Sequence, residues 1–333
     1  MQHIVVIRFG ALGDLCLLGW SLARLAGAPG RARRHVTLVT KGRFADLGAH
    51  LTGVDDVVAL AEPGRLGDLV RLGRLLRRRP ADVLLDAHGV LRSRLLVGLL
   101  GRRPAAVLRK DTTARLRLLQ GAPAAAALDR HMRHRLDAVF TAAGLPLGDA
   151  TPPLAGLDPG EGRHAIGLAP GAQWDPKRWP DRHWAALAAR ILDETSAPVR
   201  VFLGPREEAW WDGSDLARAL DAGDRVTLVR RRGLLDVAAA LAGCRRLVCN
   251  DSGLMHVAEA VGTPVTAFFG PTVRAFGYAP SLGGSALLET GDLDCRPCSR
   301  NGKRPCRRGD LACLERVDPA RAWATLAAGT EEG

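Results

Sequence analysis

VCNDSGLMHVAEAVGTPVTAFFGPT, residues 248–272, is the stretch from which the fold is read. The apolar run at 246–249 is short enough and apolar enough for a buried strand. A polar turn, Asn250-Asp251-Ser252-Gly253, follows it. A helical segment comes next, then a second apolar strand ending in Gly270-Pro271-Thr272. The turn sets small, hydrogen-bonding residues at a helix N-terminus, where free backbone N–H groups and the helix dipole favour an anion. Asp251 runs against that field. A carboxylate repels phosphate but accepts hydrogen bonds from hydroxyls. Phosphate donors beside a hydroxyl acceptor suggest a sugar nucleotide. An Asx turn that only caps the helix would use the same residues, and the stretch alone does not separate the two.

Outward from this segment, the chain alternates strand and helix. Apolar runs at 4–8, 35–40, 56–60, 82–86 and 105–108 read as strands. Helical periodicity occupies 14–26, 66–79, 90–100 and 130–143. Residues 146–163, PLGDATPPLAGLDPGEGR, are rich in proline and glycine and read as a linker. Alternation then restarts, with strands at 165–168, 199–203 and 225–228 and helices at 181–193, 207–219 and 234–242. The pattern predicts two doubly wound, Rossmann-like α/β domains, 1–150 and 151–333, with a cleft between them. Ligands of such sheets bind at the carboxyl ends of strands, so the loops after strands carry the chemistry.

Composition narrows the classes. Of 333 residues, 47% are hydrophobic, ample for two cores. No apolar run reaches the ~20 residues that span a bilayer. The N-terminal segment reads as strand and turn, without the features of a signal peptide, so a cytoplasmic location is expected. The formal charge of +12 is uneven. Residues 1–150 hold 24 Lys+Arg against 12 Asp+Glu, whereas residues 151–333 hold 23 of each. The basic half should attract a polyanion, an anionic membrane surface or a phosphorylated acceptor. Nucleic acid is disfavoured, because one Tyr and seven Phe offer no stacking platform.

Three loops after strands stand out. In the first, FGALGD (9–14), Gly10 and Gly13 are similar to a dinucleotide fingerprint. The third glycine is missing and no acid follows the second strand, which argues against NAD or FAD. Gly13 is expected to turn the backbone so that Asp14 can act as a general base; a simple helix cap is the bland alternative. The second loop, APGAQWDPKRWP (169–180), offers Lys177 as a cation for a departing diphosphate. Backbone donors near Gly171, Ala172 and Gln173 would assist it. Trp179 reads as a packing residue. In the third loop, His256 lies one helical turn beyond Ser252, and Thr272 can donate to phosphate. A base in one half and diphosphate and hydroxyl binders in the other suit group transfer.

With IVVIRFGALGD, GLAPGAQWDPKRWP and VCNDSGLMHVAEAVGTPVTAFFGPT in this order, the chain resembles glycosyltransferase family nine, the ADP-heptose:lipopolysaccharide heptosyltransferases. The resemblance implies a GT-B fold and inverting transfer without a catalytic cofactor or metal. It implies that Asp14 is the base and that Lys177 neutralises the donor diphosphate. Asp251 would hold sugar hydroxyls, and Ser252, Gly253, His256 and Thr272 would belong to the donor site. Gly13, Arg92 and Ser93 would face the acceptor. The donor would be ADP-heptose. The acceptor would be an anionic glycolipid, the lipopolysaccharide inner core, with peripheral association at the inner face of the cytoplasmic membrane. A protein or natural-product acceptor, or a GT-B sugar-nucleotide epimerase, is the alternative. His88 stands where relatives often carry Gln, which touches acceptor identity more than chemistry.

Four of the seven cysteines cluster as Cys295-x2-Cys298-x7-Cys306-x6-Cys313. This is metal-ligand spacing, and four thiolates would suit a structural zinc or iron. Half-buried thiols in a basic loop are the alternative.

Overall fold

Ile4, Val5, Val6 and Ile7 are buried without polar alternation, and Gln2–Ile7 (β1) is accordingly the central strand of a parallel sheet. The computed structural model describes residues 1–157, 162–221, 224–230 and 232–327. After β1 come α1 (Leu12–Gly27), β2 (Arg34–Lys41), α2 (Ala45–Ala49), β3 (Asp56–Leu60), α3 (Leu66–Arg77) and β4 (Val83–Asp86). Then follow α4 (Leu91–Leu100), β5 (Ala106–Val107), α5 (Thr112–Leu119) and α6 (Met132–Ala142). The sheet order is β3-β2-β1-β4-β5, with every pairing parallel.

The second array has β6 (Ala165–Ala169), α7 (Asp181–Glu194), β7 (Val199–Phe202), α8 (Pro205–Trp211), α9 (Asp215–Ala219) and β8 (Val226–Val229). It continues with α10 (Leu234–Ala242), β9 (Cys244–Asn250), α11 (Gly253–Ala260), β10 (Val265–Phe269), β11 (Ala286–Glu289), α12 (Ala312–Glu315) and α13 (Pro319–Ala327). Its parallel sheet runs β11-β10-β9-β6-β7-β8. In each sheet the direction of winding reverses once, between β1 and β4 and between β6 and β9. Ligands of open α/β sheets bind at such switch points.

Two compact units result: Met1–Asp111 with Arg130–Gly156, and Thr112–Asp129 with Leu157–Gly333. The expected boundary lay at 150/151. The chain instead makes an early excursion, in which α5 joins the second unit. There Arg115, buried, donates to the Phe276 carbonyl at 3.0 Å and lies 5.6 Å from the Tyr278 ring centre. Part of the expected linker is tied down in the first unit. Gly148 N–H donates to the Arg24 carbonyl, and the Pro153 carbonyl accepts from the Thr52 N–H and hydroxyl. Residues 158–161 of that stretch lie outside the described residues.

The helix expected at 207–219 is two helices. Gly213 interrupts it, and Ser214 starts α9 by accepting from the Ala217 N–H at 3.0 Å. Strand β11 was not expected. Trp179 is a packing residue, 2% exposed and stacked on Phe268 at 4.1 Å between centroids. Among the described residues no helix is long and apolar enough to cross a membrane.

Candidate functional site

In the first unit, the loop from β1 into α1 depends on Gly10. Its φ is +128°, and a Cβ there would sit 2.7 Å from the Phe44 ring. Gly13, expected to make this turn, is buried inside α1, so the turning residue is Gly10. Asp14 occupies the first turn of α1. One carboxylate oxygen accepts from the Ala11 N–H at 3.0 Å, and the other pairs with the Arg8 guanidinium at 2.6 Å. Arg8 is 1% exposed and also donates to the Ala87 carbonyl. A buried cation thus fixes the carboxylate expected to act as base. A charged residue in the otherwise apolar IVVIRFG was the available sign, since a buried charge needs a partner.

The loop after β4 completes this end. Asp86 accepts from the N–H groups of His88 and Gly89 and from the Ser93 hydroxyl. Ser93 is fully buried and also caps α4 through the Val90 N–H. Its hydroxyl supports the loop from within, contrary to the expectation that it faces an acceptor. His88 Nδ1 accepts from the Phe9 N–H at 3.3 Å. Burial first, then the charges of Arg8 and Lys110, push the His88 pKa down to about 3, so the ring is neutral.

Beside this loop lies a cavity of about 700 Å³. Gly10, Ala11 and His88 form one wall, and Lys41, Arg43 and Arg92 bring three cations. Arg43 pairs with Glu62 at 2.7 Å. Among the described residues, Lys41 and Arg92 have no carboxylate at ion-pair distance. Desolvation, then Arg43 and Arg92, lower the Lys41 pKa, as expected where like charges gather. Only Arg92 of the three was expected here.

In the second unit, the loops after β6, β9 and β10 meet at the switch point. Asn250, fully buried, ties two of them: it accepts from the Trp179 N–H at 2.9 Å and donates to the Pro170 carbonyl at 2.7 Å. Nothing local to this turn residue announces that it ties one loop to another. Lys177 Nζ pairs with Asp251 Oδ2 at 2.6 Å, and the Thr272 hydroxyl donates to the same oxygen at 2.6 Å. Both charged side chains are 12% exposed. Ser252 and Gly253 open α11, and the buried Ser252 hydroxyl has no partner among the described residues. His256 is buried on α11, with its ring 6.3 Å from that of Tyr278. Gly171 packs so closely on Glu207 that a Cβ would meet its carboxylate at 2.7 Å. Ala172 is buried beside it. Gln173 is exposed, its carbonyl accepting from Arg206 at 2.7 Å.

The segment that begins at Cys295 braces these loops. The Arg296 guanidinium, 5% exposed, donates to the carbonyls of Gly270 (2.6 Å), Thr272 (2.9 Å), Phe269 (3.2 Å) and Thr290, and pairs with Glu289 at 2.7 Å. Gly302, with φ +82°, packs against the Lys177 stem. Lys303 lies 5.6 Å from the Trp174 ring centre.

The expected metal set is not assembled. Among the described residues, no group of three or more His, Cys, Asp or Glu side chains is arranged to hold a metal ion. Cys295, Cys298, Cys306 and Cys313 are free thiols. Burial first, then the neighbouring Cys295 and Cys306, raises the Cys298 pKa; burial, with Cys298, Cys306 and Cys295 adding to it, pushes that of Cys313 up to about 11. Cys313 is packed under Gly270, where it serves the core.

The sequence matches the profile of glycosyltransferase family 9 (heptosyltransferase) over residues 69–304. Lipopolysaccharide heptosyltransferase 1 of Pseudomonas aeruginosa is 29% identical, over 98% of each chain. The glycosyltransferase family 9 structure from Veillonella parvula superposes with a TM-score of 0.77 at 18% identity, covering 100% of this chain and 98% of the other. The Escherichia coli ADP-heptose lps heptosyltransferase II structure gives 0.70 at 20% identity, covering 100% of both. The two structural likenesses run the full length of the chain, and the fold is GT-B.

Proposed function

This chain belongs to glycosyltransferase family 9, the heptosyltransferases, and we propose that it moves a heptose from ADP-heptose to a hydroxyl of the lipopolysaccharide inner core, with inversion. What carries the reading is the gathering of Lys177, Asp251, Ser252 and Thr272 at the carboxyl ends of three adjacent strands, β6, β9 and β10. The names of the P. aeruginosa and E. coli relatives supply the sugar, nucleotide and acceptor.

In the proposed reaction Asp14 takes the proton from the acceptor hydroxyl. The acceptor oxygen attacks the anomeric carbon from the face opposite the diphosphate. The bond from that carbon to the diphosphate oxygen breaks, and ADP departs with the electron pair. Lys177, the Ser252 hydroxyl and the N–H groups that open α11 meet the charge on the departing diphosphate. Arg8 holds the Asp14 carboxylate in place. Lys41 and Arg92 are suited to anionic groups on the acceptor. The reaction would take place on the cytoplasmic side of the membrane, where an acceptor anchored in lipid is met.

Replacing Asp14 by Asn tests the assignment. Transfer should fall by roughly 10²–10⁴, the usual contribution of a general base. ADP-heptose binding, which uses the second unit, should stay within about twofold. Transfer near the wild-type rate would remove Asp14 from the role of base.

A further inference from the structure

Seven large apolar side chains are exposed among the described residues, and three of them line the cavity that holds Lys41, Arg43 and Arg92: Leu66, Leu91 and Leu95, at 66%, 75% and 45% exposure. Nothing in the helical pattern asks for them there. Leu66 is the first residue of α3. Leu91 and Leu95 lie four residues apart on α4 and share a face. Helices α3 and α4 pack on each other, so the three leucines form one lip. Arg65 and Arg94, both exposed, flank it in sequence. Segments 64–79 and 90–103 together hold ten arginines and one acid, Asp68, which is ion-paired with Arg71.

We infer that this lip is a membrane-docking surface, whose leucines enter the interface of an anionic bilayer while Lys41, Arg92 and the flanking arginines meet its headgroups. Charge complementarity selects the occupant. An apolar protein partner would leave the arginines unpaired, and a soluble polyanion would leave the leucines in water. Exposed apolar side chains ringed by cations satisfy both requirements of interfacial binding. The inference deepens the proposed acceptor reading and rests on it for the reason a lipid-anchored substrate should be met at this cavity. The Glu62–Arg43 pair lies on the same rim and reduces the local excess by one charge.

The test uses the full-length protein and sedimentation with vesicles, without any donor or acceptor. Wild-type protein should bind phosphatidylcholine vesicles containing phosphatidylglycerol and should not bind phosphatidylcholine alone. Leu66→Asn/Leu91→Asn/Leu95→Asn should lower partitioning by at least about a hundredfold, since each inserted leucine is worth on the order of tenfold. Lys41→Gln/Arg92→Gln should lower it by about tenfold or more. The leucines are exposed, so thermal melts should stay close to wild type and certify the fold. Absence of wild-type binding to anionic vesicles, or unaltered binding by the leucine variant, overturns the inference. Wild-type transfer to a deacylated, soluble acceptor is measured separately. Its success beside failed vesicle binding would sink the docking surface and leave the transferase reading standing.

Discussion

Arg296 makes the sharpest stability prediction, because its guanidinium is nearly inaccessible and holds four carbonyls and one carboxylate. Arg296→Met preserves much of the stem and removes the charge. Four carbonyls, those of Phe269, Gly270, Thr272 and Thr290, lose a donor, and Glu289 loses its cation. Adding five charged hydrogen bonds at their individual worth would overshoot, because the bonds share one side chain and water reaches some of the freed groups. Removal of one partner of a buried ion pair, roughly 3–5 kcal/mol, sets the upper bound, because the Glu289 left behind is 30% exposed and keeps contact with water. For a unit of this size that bound is a fall in melting temperature of roughly 6–20 °C. Arg296→Lys keeps the charge but loses the fork and should recover less than half. The assay is urea unfolding followed by tryptophan fluorescence. Six of the seven tryptophans, all except Trp20, lie in the second unit, so the signal reports the unit that Arg296 braces. An Arg296→Met protein within about 1 kcal/mol of wild type would refute the reasoning, since 1 kcal/mol is less than a typical charged hydrogen bond.

Other outcomes follow from the same geometry. Lys177→Met should lower kcat by about 10²–10³ and change the KM for donor by less, as expected for a group that acts on developing charge; equal changes in both would refute that. His88 is neutral when folded, with a pKa of about 3 against about 6.5 unfolded. Only the unfolded chain gains a proton between those values, so stability is lost as pH falls from 6.5 towards 3, at up to about 1.4 kcal/mol per pH unit. His88→Gln should remove that slope in unfolding followed by circular dichroism at pH 7.5 and 5; parallel wild-type and variant profiles would contradict it. Gly10→Ala should destabilise by about 1–3 kcal/mol, because the +128° backbone is strained and Phe44 must move. Unfolding curves that superpose on wild type would show that the turn relaxes freely.

Legibility in the sequence tracked how local the physics is. Central strands such as IVVI and VTAFF are buried on both faces, so they are unbroken apolar runs that need no partner to be seen. Helix α5, TTARLRLL, has a weak apolar face, and what secures it is Phe276 and Tyr278, some 160 residues away. Nothing near residue 115 announces that. The spacing of the four cysteines promised convergence, yet spacing along a chain does not fix where each Sγ points. Cys313 turns into the core under Gly270. Arg296 sits in a tail so rich in arginine that its buried, bracing role has no distinguishing mark there. Glycines were half legible: the FGALGD loop plainly needs one, but only the backbone reveals that the residue is Gly10.

The pairing of Lys177 with Asp251 changes how both residues should be understood. Taken separately, one is a cation for phosphate and the other an acid for sugar hydroxyls. At 2.6 Å, with Thr272 on the same carboxylate oxygen, they form a unit of zero net charge. Such a unit exerts little long-range pull on a diphosphate, because the two fields nearly cancel a few ångströms away. Anion attraction then falls to the open N–H groups of α11 and the Ser252 hydroxyl. In the proposed reaction Lys177 would act at short range, where an ammonium with three donors serves the Asp251 carboxylate and a phosphate oxygen together. Its share towards phosphate grows as the leaving oxygen gains charge. An interaction stronger in the transition state than in the bound donor raises kcat more than it tightens binding. Asp251 thus has two tasks in the proposed reaction, receiving sugar hydroxyls and restraining the lysine until charge develops beside it.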